Sequence, residues 1–413
     1  MFTVDPEAVM GEDTSVRNGI PITYGCGYVT MDSRSKVVTA IFAIAICIIG
    51  SYMLWGQTDD HDDGTVVECT VVRYDEFGAA VLSVDMQTMD SLKAPYGSDL
   101  SVEINGHEYT AIFVKNYAGA PAFSVYVNFD SSEEHYTLGV FNSRFTEDQV
   151  IPIGDTVKLS VNGMNSYYPR IPNYLKGYSN DRDDYPSDQA FANCRMLAGG
   201  DLAEGRVYRC STPWGEHGRG AICDEFLKEA GVDYLIGMDK SEKAVAEMVA
   251  RTGDLYSSQL FLDGRVSVRF LSPAVHSNPE EIRWVIDRIL ESDGSIGIFC
   301  KLGKDRTGMY CTILQGVAGA TLEEATDDFM LSITNYYGLE KGTDEYNAVY
   351  EMLLFRQLYL FQHPEMIDHV LDIDWSKVEL KDFDLQEVII SFLNGYVGIP
   401  MDKIDALRVR LTE

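Results

Sequence analysis

The stretch Ser295–Gly308, SIGIFCKLGKDRTG, constrains the fold of this chain more than any other. Its first half, ending at Cys300, is a short apolar run without alternation, the pattern of a strand buried on both faces of a parallel sheet. Its second half mixes glycine with Lys301, Lys304 and Arg306 and leads into a helix expected over roughly Arg306 to Ala318. A strand buried on both faces needs helical layers above and below it, so the run calls for an α/β architecture.

The flanking text agrees. GRVYRCS, VDYLIGM and RVSVRFL read as strands, separated by helices over AICDEFLKEAG, which closes at Gly231, and SEKAVAEMVART. NPEEIRWVIDRILESDG is a helix with Pro279, Glu280 and Glu281 in its first turn. Beyond the loop the chain is helical: Thr321 and Glu324 have capping-box spacing, and EYNAVYEMLLFRQLYLF continues the type. Upstream, Gly64 to about Asn165 is rich in Val, Tyr, Phe and Thr bounded by turn formers, and predicts a small all-β domain. YSNDRDDYPSD, Tyr178–Asp188, is polar and turn-forming and reads as the join.

Val37–Trp55 carries no charged residue and is long enough, at ~1.5 Å per residue, to span the hydrocarbon layer. Arg34 and Lys36 precede it and acidic residues follow, so the positive-inside rule puts its N-terminal side in the cytoplasm. The expected organisation is therefore a tail over 1–36, cytoplasmic or upstream of a start at Met31, and a transmembrane signal anchor over 37–55. A β-rich accessory domain follows over 64–177 and an α/β domain over 178–413, both on the extracytoplasmic side.

With 64 acidic residues against 33 basic ones and a formal net charge of -31, the chain repels polyanions, which excludes a general nucleic-acid surface. An anionic ligand must be captured locally. The cysteines at 26, 47, 69, 194, 210, 223, 300 and 311 show no CxxC spacing, so no zinc site is expected. Cys194, Cys210 and Cys223 are candidates to include a disulfide, with buried free thiols as the alternative.

Local capture is what the loop after Cys300 supplies. A turn between a buried strand and a helix points successive N–H groups inward, and the helix adds its positive end. Gly303 relieves crowding there. Arg306 offers a planar fork for two phosphate oxygens. Cys300 sits in the same field, which favours its nucleophilic thiolate.

Cysteine, five residues, arginine, then Thr307, with GKDRTG inside, closely resembles the phosphate loop of the protein tyrosine phosphatase superfamily, in the form found in bacterial GKDRTG-type enzymes. FANCRML with GRVYRCSTP, GVDYLIGMDKSEK, and DDFMLSITNYYGLEKGTDEY extend the resemblance from about Tyr178 to the C-terminus. It implies the cysteine-phosphatase fold, a central mostly parallel sheet flanked by helices, here preceded by the β domain and membrane helix. It also implies a mechanism in which Cys300 forms a phosphocysteine. The oxygens are bound by the loop Lys301, Leu302, Gly303, Lys304, Asp305 and Arg306, and Cys300, Asp305, Arg306 and Thr307 are the catalytic set. No metal or organic cofactor is implied. The leaving group's proton comes from Asp305 in the GKDRTG group, with an Asp on a separate mobile loop, Asp254 or Asp263, as the alternative.

The chain departs from the family pattern at Phe299, where histidine is usual, and at MDK (Met238–Lys240) and NCRM (Asn193–Met196), which replace its DLR and NFRD segments. Lys301 and Lys304 stand as in tensin-like phosphoinositide phosphatases. The expected substrate is a phosphorylated protein, phosphotyrosine above all, or a small phosphomonoester. An inositol polyphosphate is the alternative within the same chemistry, and a phosphate-binding pseudophosphatase or adhesion module is the alternative outside it. Tyr336 and Tyr337 read as core or rim residues.

Overall fold

Alternating inward residues such as Val67, Cys69 and Val71 shape the first strand, β1 (Val66–Tyr74), and the same rule builds a closed barrel. The computed structural model describes residues 64–75, 78–116, 119–130, 134–143 and 151–413. The apolar run Val37–Trp55 lies outside these. Among the described residues no helix is long and apolar enough to cross a membrane.

The barrel continues through β2 (Ala80–Leu82), β3 (Asp99–Ile104), β4 (His107–Val114), β5 (Val125–Asp130), β6 (His135–Val140) and β7 (Thr156–Gly163), in the spatial order β1-β2-β6-β5-β4-β3-β7. Asn105 and Gly106, at φ 51° and 80°, make the tight turn that pairs Ile104 with His107. All pairs are antiparallel except β4–β5, where Ala111 faces Val125. A parallel pair needs a crossover instead of a hairpin. That crossover carries Ala122 and Phe123 out of the barrel.

Phe123, fully buried at φ 62°, meets His276 edge-on with ring centroids 4.7 Å apart and stacks on Trp375 at 5.7 Å. The Ala122 N–H donates to the Met352 carbonyl (2.9 Å), and Arg356 Nη1 donates to the Ala122 carbonyl (2.9 Å) and Ser124 Oγ (2.8 Å). Met352 lies in a wide helical turn, Glu351–Phe355, within the helical stretch expected from EYNAVYEMLLFRQLYLF. One hydrophobic cluster runs through barrel and α/β residues alike.

The second sheet has the order β11-β10-β12-β9-β8, from β8 (Arg195–Met196), β9 (Val207–Ser211), β10 (Tyr234–Gly237), β11 (Val266–Val268) and β12 (Ile296–Cys300). Only β8 is antiparallel to its neighbour. All five residues of β12 are buried. Ile296, Ile298 and Cys300 join the core beneath the helices Pro279–Glu291 and Asp305–Val317, while Phe299 joins Trp214 and Leu227 on the opposite face. The mixed α/β sheet expected from the apolar run is therefore present, with β12 at its centre. The carboxyl ends of β9, β10 and β12 share one edge, where ligands bind in open α/β sheets.

Candidate active site

At that edge β12 ends in Cys300, residues 301–304 turn, and the helix Asp305–Val317 begins. Gly303 has φ 63°, and a Cβ there would lie 2.3 Å from the Cys210 carbonyl oxygen, so no other residue fits without moving β9. The loop's carbonyls are held from behind. The Leu302 carbonyl accepts from Asn193 Nδ2 (3.1 Å) and Tyr336 Oη (2.9 Å), and the Gly303 carbonyl from Asn193 Nδ2 (3.0 Å) and Arg209 Nη2 (2.8 Å). Each peptide whose oxygen is turned back turns the following N–H the other way. Among the described residues no loop or cap hydrogen bond uses the amides of Leu302, Gly303 or Lys304 as donor. Those of Asp305 and Arg306 belong to the first helical turn, which has no intrahelical acceptors.

A charged network supports this arrangement. Arg209, on β9, is fully buried, and its Nη1 is ion-paired with Asp328 Oδ2. Arg195 Nε binds Asp328 Oδ1 at 2.7 Å, and both guanidinium groups reach Ser332 Oγ at 3.0 Å. Burial pushes the Asp328 carboxyl upward, but the Arg209 and Arg195 guanidinium groups outweigh it and hold the group below the usual carboxylate range. Asn193, at φ 54°, caps the helix Asp188–Ala192 and accepts from Arg195 Nη1 (2.8 Å).

Each residue expected at the site has a definite place. Cys300 is buried, 4% exposed, and faces Ser211 across the β9–β12 ladder. Arg306 Nη1 donates to the Met238 (2.8 Å) and Leu271 (3.1 Å) carbonyls, and the guanidinium lies 5.5 Å from the exposed Phe270 ring. Its Nε and Nη2 have no hydrogen-bond partner among the described residues. Anchoring one nitrogen to two carbonyls fixes the plane of the fork and leaves its other edge to a ligand. Asp305 is half exposed and ion-paired with Lys304 Nζ at 2.9 Å. Lys304 is nearly buried, 5.7 and 5.5 Å from the Tyr174 and Tyr337 rings. Burial pulls the Lys304 ammonium downward, but the Asp305 carboxylate leads the contacts that hold it well above the usual lysine range. Lys301 is exposed, Leu302 packs beside Tyr185 and Phe191, and Thr307 is fully buried with no hydrogen-bond partner for Oγ1 among the described residues.

The Phe299 ring, in place of the usual histidine, offers no polar atom to the loop and packs edge-on against Trp214 at 5.8 Å. Asp263 caps the helix before β11 and pairs with Arg265 at 3.2 Å. It enters at the amino end of a parallel strand, the edge away from the loop. Asp254 lies in the same connection between β10 and β11. Tyr336 and Tyr337 both border the loop. The Tyr178–Asp188 stretch is no free join: Arg219 Nη2 donates to the Ser179 carbonyl and to Tyr185 Oη (3.0 Å), and Tyr178 packs on Tyr336 at 5.3 Å. Arg209 and Asp328 are positioning residues the sequence reading missed, while Asn193 was singled out there only as part of the departing NCRM segment and Tyr336 only as a core or rim residue. One signal was available, a charged Arg209 inside an otherwise apolar strand.

Residues 263–413, which include β12, the loop and everything after it, match the model of a family described as the tyrosine phosphatase family. No curated protein matches the chain. Among solved structures, an uncharacterized conserved protein from Thermotoga maritima is 17% identical over 23% of this chain and 36% of that one, with a TM-score of 0.22. A conserved hypothetical protein from Thermus thermophilus is 22% identical over 22% and 34%, with a TM-score of 0.18. The chain thus spans about a third of the length of these two. The core catalytic domain of the PP-IP phosphatase SIW14 from S. cerevisiae, in complex with citrate, is 14% identical over 42% of this chain and 97% of that one, with a TM-score of 0.22. Together with the loop, the family match makes the C-terminal part of the chain similar to phosphatases of the tyrosine phosphatase family.

Proposed function

We propose that the protein is a cysteine-dependent phosphomonoester hydrolase working through a phosphocysteine. The observation that carries this reading is the loop after Cys300, whose Leu302 and Gly303 carbonyls are clamped from behind while the amides of Leu302, Gly303 and Lys304 and one edge of Arg306 have no hydrogen-bond partner among the described residues. In the first step the Cys300 thiolate attacks phosphorus, the P–O bond to the leaving group breaks, and Asp305, which takes up a proton from solvent when the phosphate dianion binds beside it, gives that oxygen this proton. The amides and Arg306 stabilise the equatorial oxygens as charge develops on them. Water then attacks phosphorus, the P–S bond breaks, and phosphate and the thiolate are released. Phosphotyrosine in a protein, or a small phosphomonoester, is the proposed substrate.

A second reading, a multiply phosphorylated inositol, rests on Lys301, which is exposed and held by no ion pair among the described residues. Lys304 lends it less support, since that ammonium is nearly buried and engaged with Asp305. Faster turnover of polyphosphorylated inositols than of phosphotyrosine peptides, with the preference lost in Lys301→Ala, favours this reading. For the chemistry itself, p-nitrophenyl phosphate turnover is compared in the full chain, Cys300→Ser and Arg306→Ala. Turnover unchanged by Cys300→Ser refutes the covalent mechanism, and tight vanadate binding without turnover identifies a pseudophosphatase. The proposed location is an anchor at 37–55 with the catalytic part outside the cytoplasm. Protease resistance of that part in intact cells, lost on lysis, reverses this orientation.

A further inference from the structure

We propose that Cys194, Cys210 and Cys223 form a buried site for a thiophilic divalent cation of the zinc class, placed behind the Lys301–Arg306 loop. The three sulfurs come from three elements: the residue after Asn193, strand β9, and the helix Arg219–Glu229. They lie within 4.8 Å of one another, with Cys194 Sγ and Cys223 Sγ 3.3 Å apart, and all three residues are 3% exposed or less. Sulfurs bound to one zinc at ~2.3 Å stand ~3.8 Å apart at the tetrahedral angle and never more than ~4.6 Å. The Cys194–Cys223 separation is ~0.5 Å shorter than that value and the other two separations are at most 4.8 Å, so binding requires shifts of up to ~1 Å. Structural sites of this kind take a fourth ligand, and oxygen donors are in place. Ser211 Oγ lies 3.0 Å from Cys223 Sγ, and the Ala192 carbonyl lies 3.4 and 3.6 Å from the Cys194 and Cys223 sulfurs.

A disulfide uses two sulfurs and gives no reason for the third to converge. A shared ion uses all three. Binding forms three metal–sulfur bonds and releases three thiol protons to solvent, and because access is closed in the folded chain the ion enters as the protein folds. The site also joins the loop's supports. Cys194 follows Asn193, which grips the Leu302 and Gly303 carbonyls, and the Cys210 carbonyl is the surface against which Gly303 packs. The missing CxxC spacing reflects ligands drawn from three elements instead of one knuckle.

The test uses the full chain, expressed with added zinc, purified with a thiol reductant and no chelator, and analysed for metal by mass spectrometry. The expected result is about one zinc per chain, retained in the barrel variant Cys69→Ala and lost in Cys210→Ala and Cys223→Ala. The unmodified chain, expressed in cobalt-supplemented medium, is expected to show sulfur-to-cobalt charge-transfer absorption. This readout stands even where a cysteine variant fails to fold. Wild-type protein free of zinc and without that absorption, a Cys194–Cys223 disulfide found in its peptides, or metal retained at full level in Cys210→Ala each overturns the proposal. Phosphatase activity enters none of these readouts, so the site stands or falls apart from the catalytic reading.

Discussion

Replacing Asn193 tests whether the clamped carbonyls set up the loop for an oxyanion. The residue sits at φ 54°, so glycine keeps the backbone at ease while removing the side chain, whereas alanine would add strain of its own. Two hydrogen bonds to buried carbonyls are lost, at 3.1 and 3.0 Å. At ~0.5–1.5 kcal/mol each, their removal costs ~1–3 kcal/mol of loop order, or roughly 5- to 150-fold in the population able to bind an anion. Asn193→Asp is the sharper change. It keeps an acceptor for Arg195 Nη1 but turns an oxygen without a proton toward the Leu302 and Gly303 carbonyls. The assay is vanadate inhibition alongside p-nitrophenyl phosphate kinetics and thermal unfolding. Vanadate affinity and kcat/KM are expected to fall together in Asn193→Gly, and further in Asn193→Asp. A variant that unfolds earlier yet keeps vanadate affinity within about twofold refutes the argument, because Asn193 would then support the fold without shaping the site.

Gly303→Ala is expected to abolish vanadate binding and turnover, since the new Cβ meets the Cys210 oxygen at 2.3 Å, and kinetics close to wild type would show that the loop can move freely. Acid stability follows from His276, whose ring is fully buried against Phe123. Burial lowers its pKa to about 3, and nearby Gln357 compensates only slightly, making no well-formed hydrogen bond with the ring. The unfolded chain takes up this proton below the usual 6.5 and the folded chain only near 3, so stability is lost as pH falls through that window. The loss amounts to ~2 kcal/mol by about pH 5, and urea unfolding at neutral and acid pH is expected to show a shallower loss in His276→Gln. Equal acid sensitivity in both proteins removes His276 from the account.

What the sequence made legible was local. The Ile296–Cys300 strand needed only its unbroken apolar character, Gly303 its position between strand and helix, and the Thr321–Glu324 capping box its spacing; the box is present with both reciprocal bonds. Less visible were features in which distant segments complete one another. Nothing in residues 119–125 announces that the β4–β5 crossover inserts Phe123 between His276 and Trp375, because that contact depends on how the barrel closes. The Tyr178–Asp188 stretch is polar enough to be a linker, and it is the distant Arg219 and Tyr336 that draw it in. The supports come from three elements, Asn193 at the end of the helix Asp188–Ala192, Arg209 on β9, and Asp328 with Tyr336 on the helix Leu322–Tyr337, and a buried polar network has no periodicity to betray it.

An acidic chain that holds an anion needs its positive field close to the ligand. Two guanidinium groups, Arg209 and Arg195, face one carboxylate, Asp328, which leaves one net positive charge in the buried network behind the loop. In front of it stand Arg306 and the amino end of the helix Asp305–Val317. Exposed acidic groups farther than a Debye length, ~8 Å in physiological salt, are largely screened, while buried groups are not. The net charge of -31 therefore shapes approach more than capture. Encounter with an anionic substrate is expected to quicken as salt rises and long-range repulsion fades, whereas the bound state keeps most of its affinity. Replacing Arg209 by an apolar residue removes that net positive charge, leaving Asp328 with one partner where it had two. A loss of oxyanion affinity that added salt does not restore would place the controlling charge in this network.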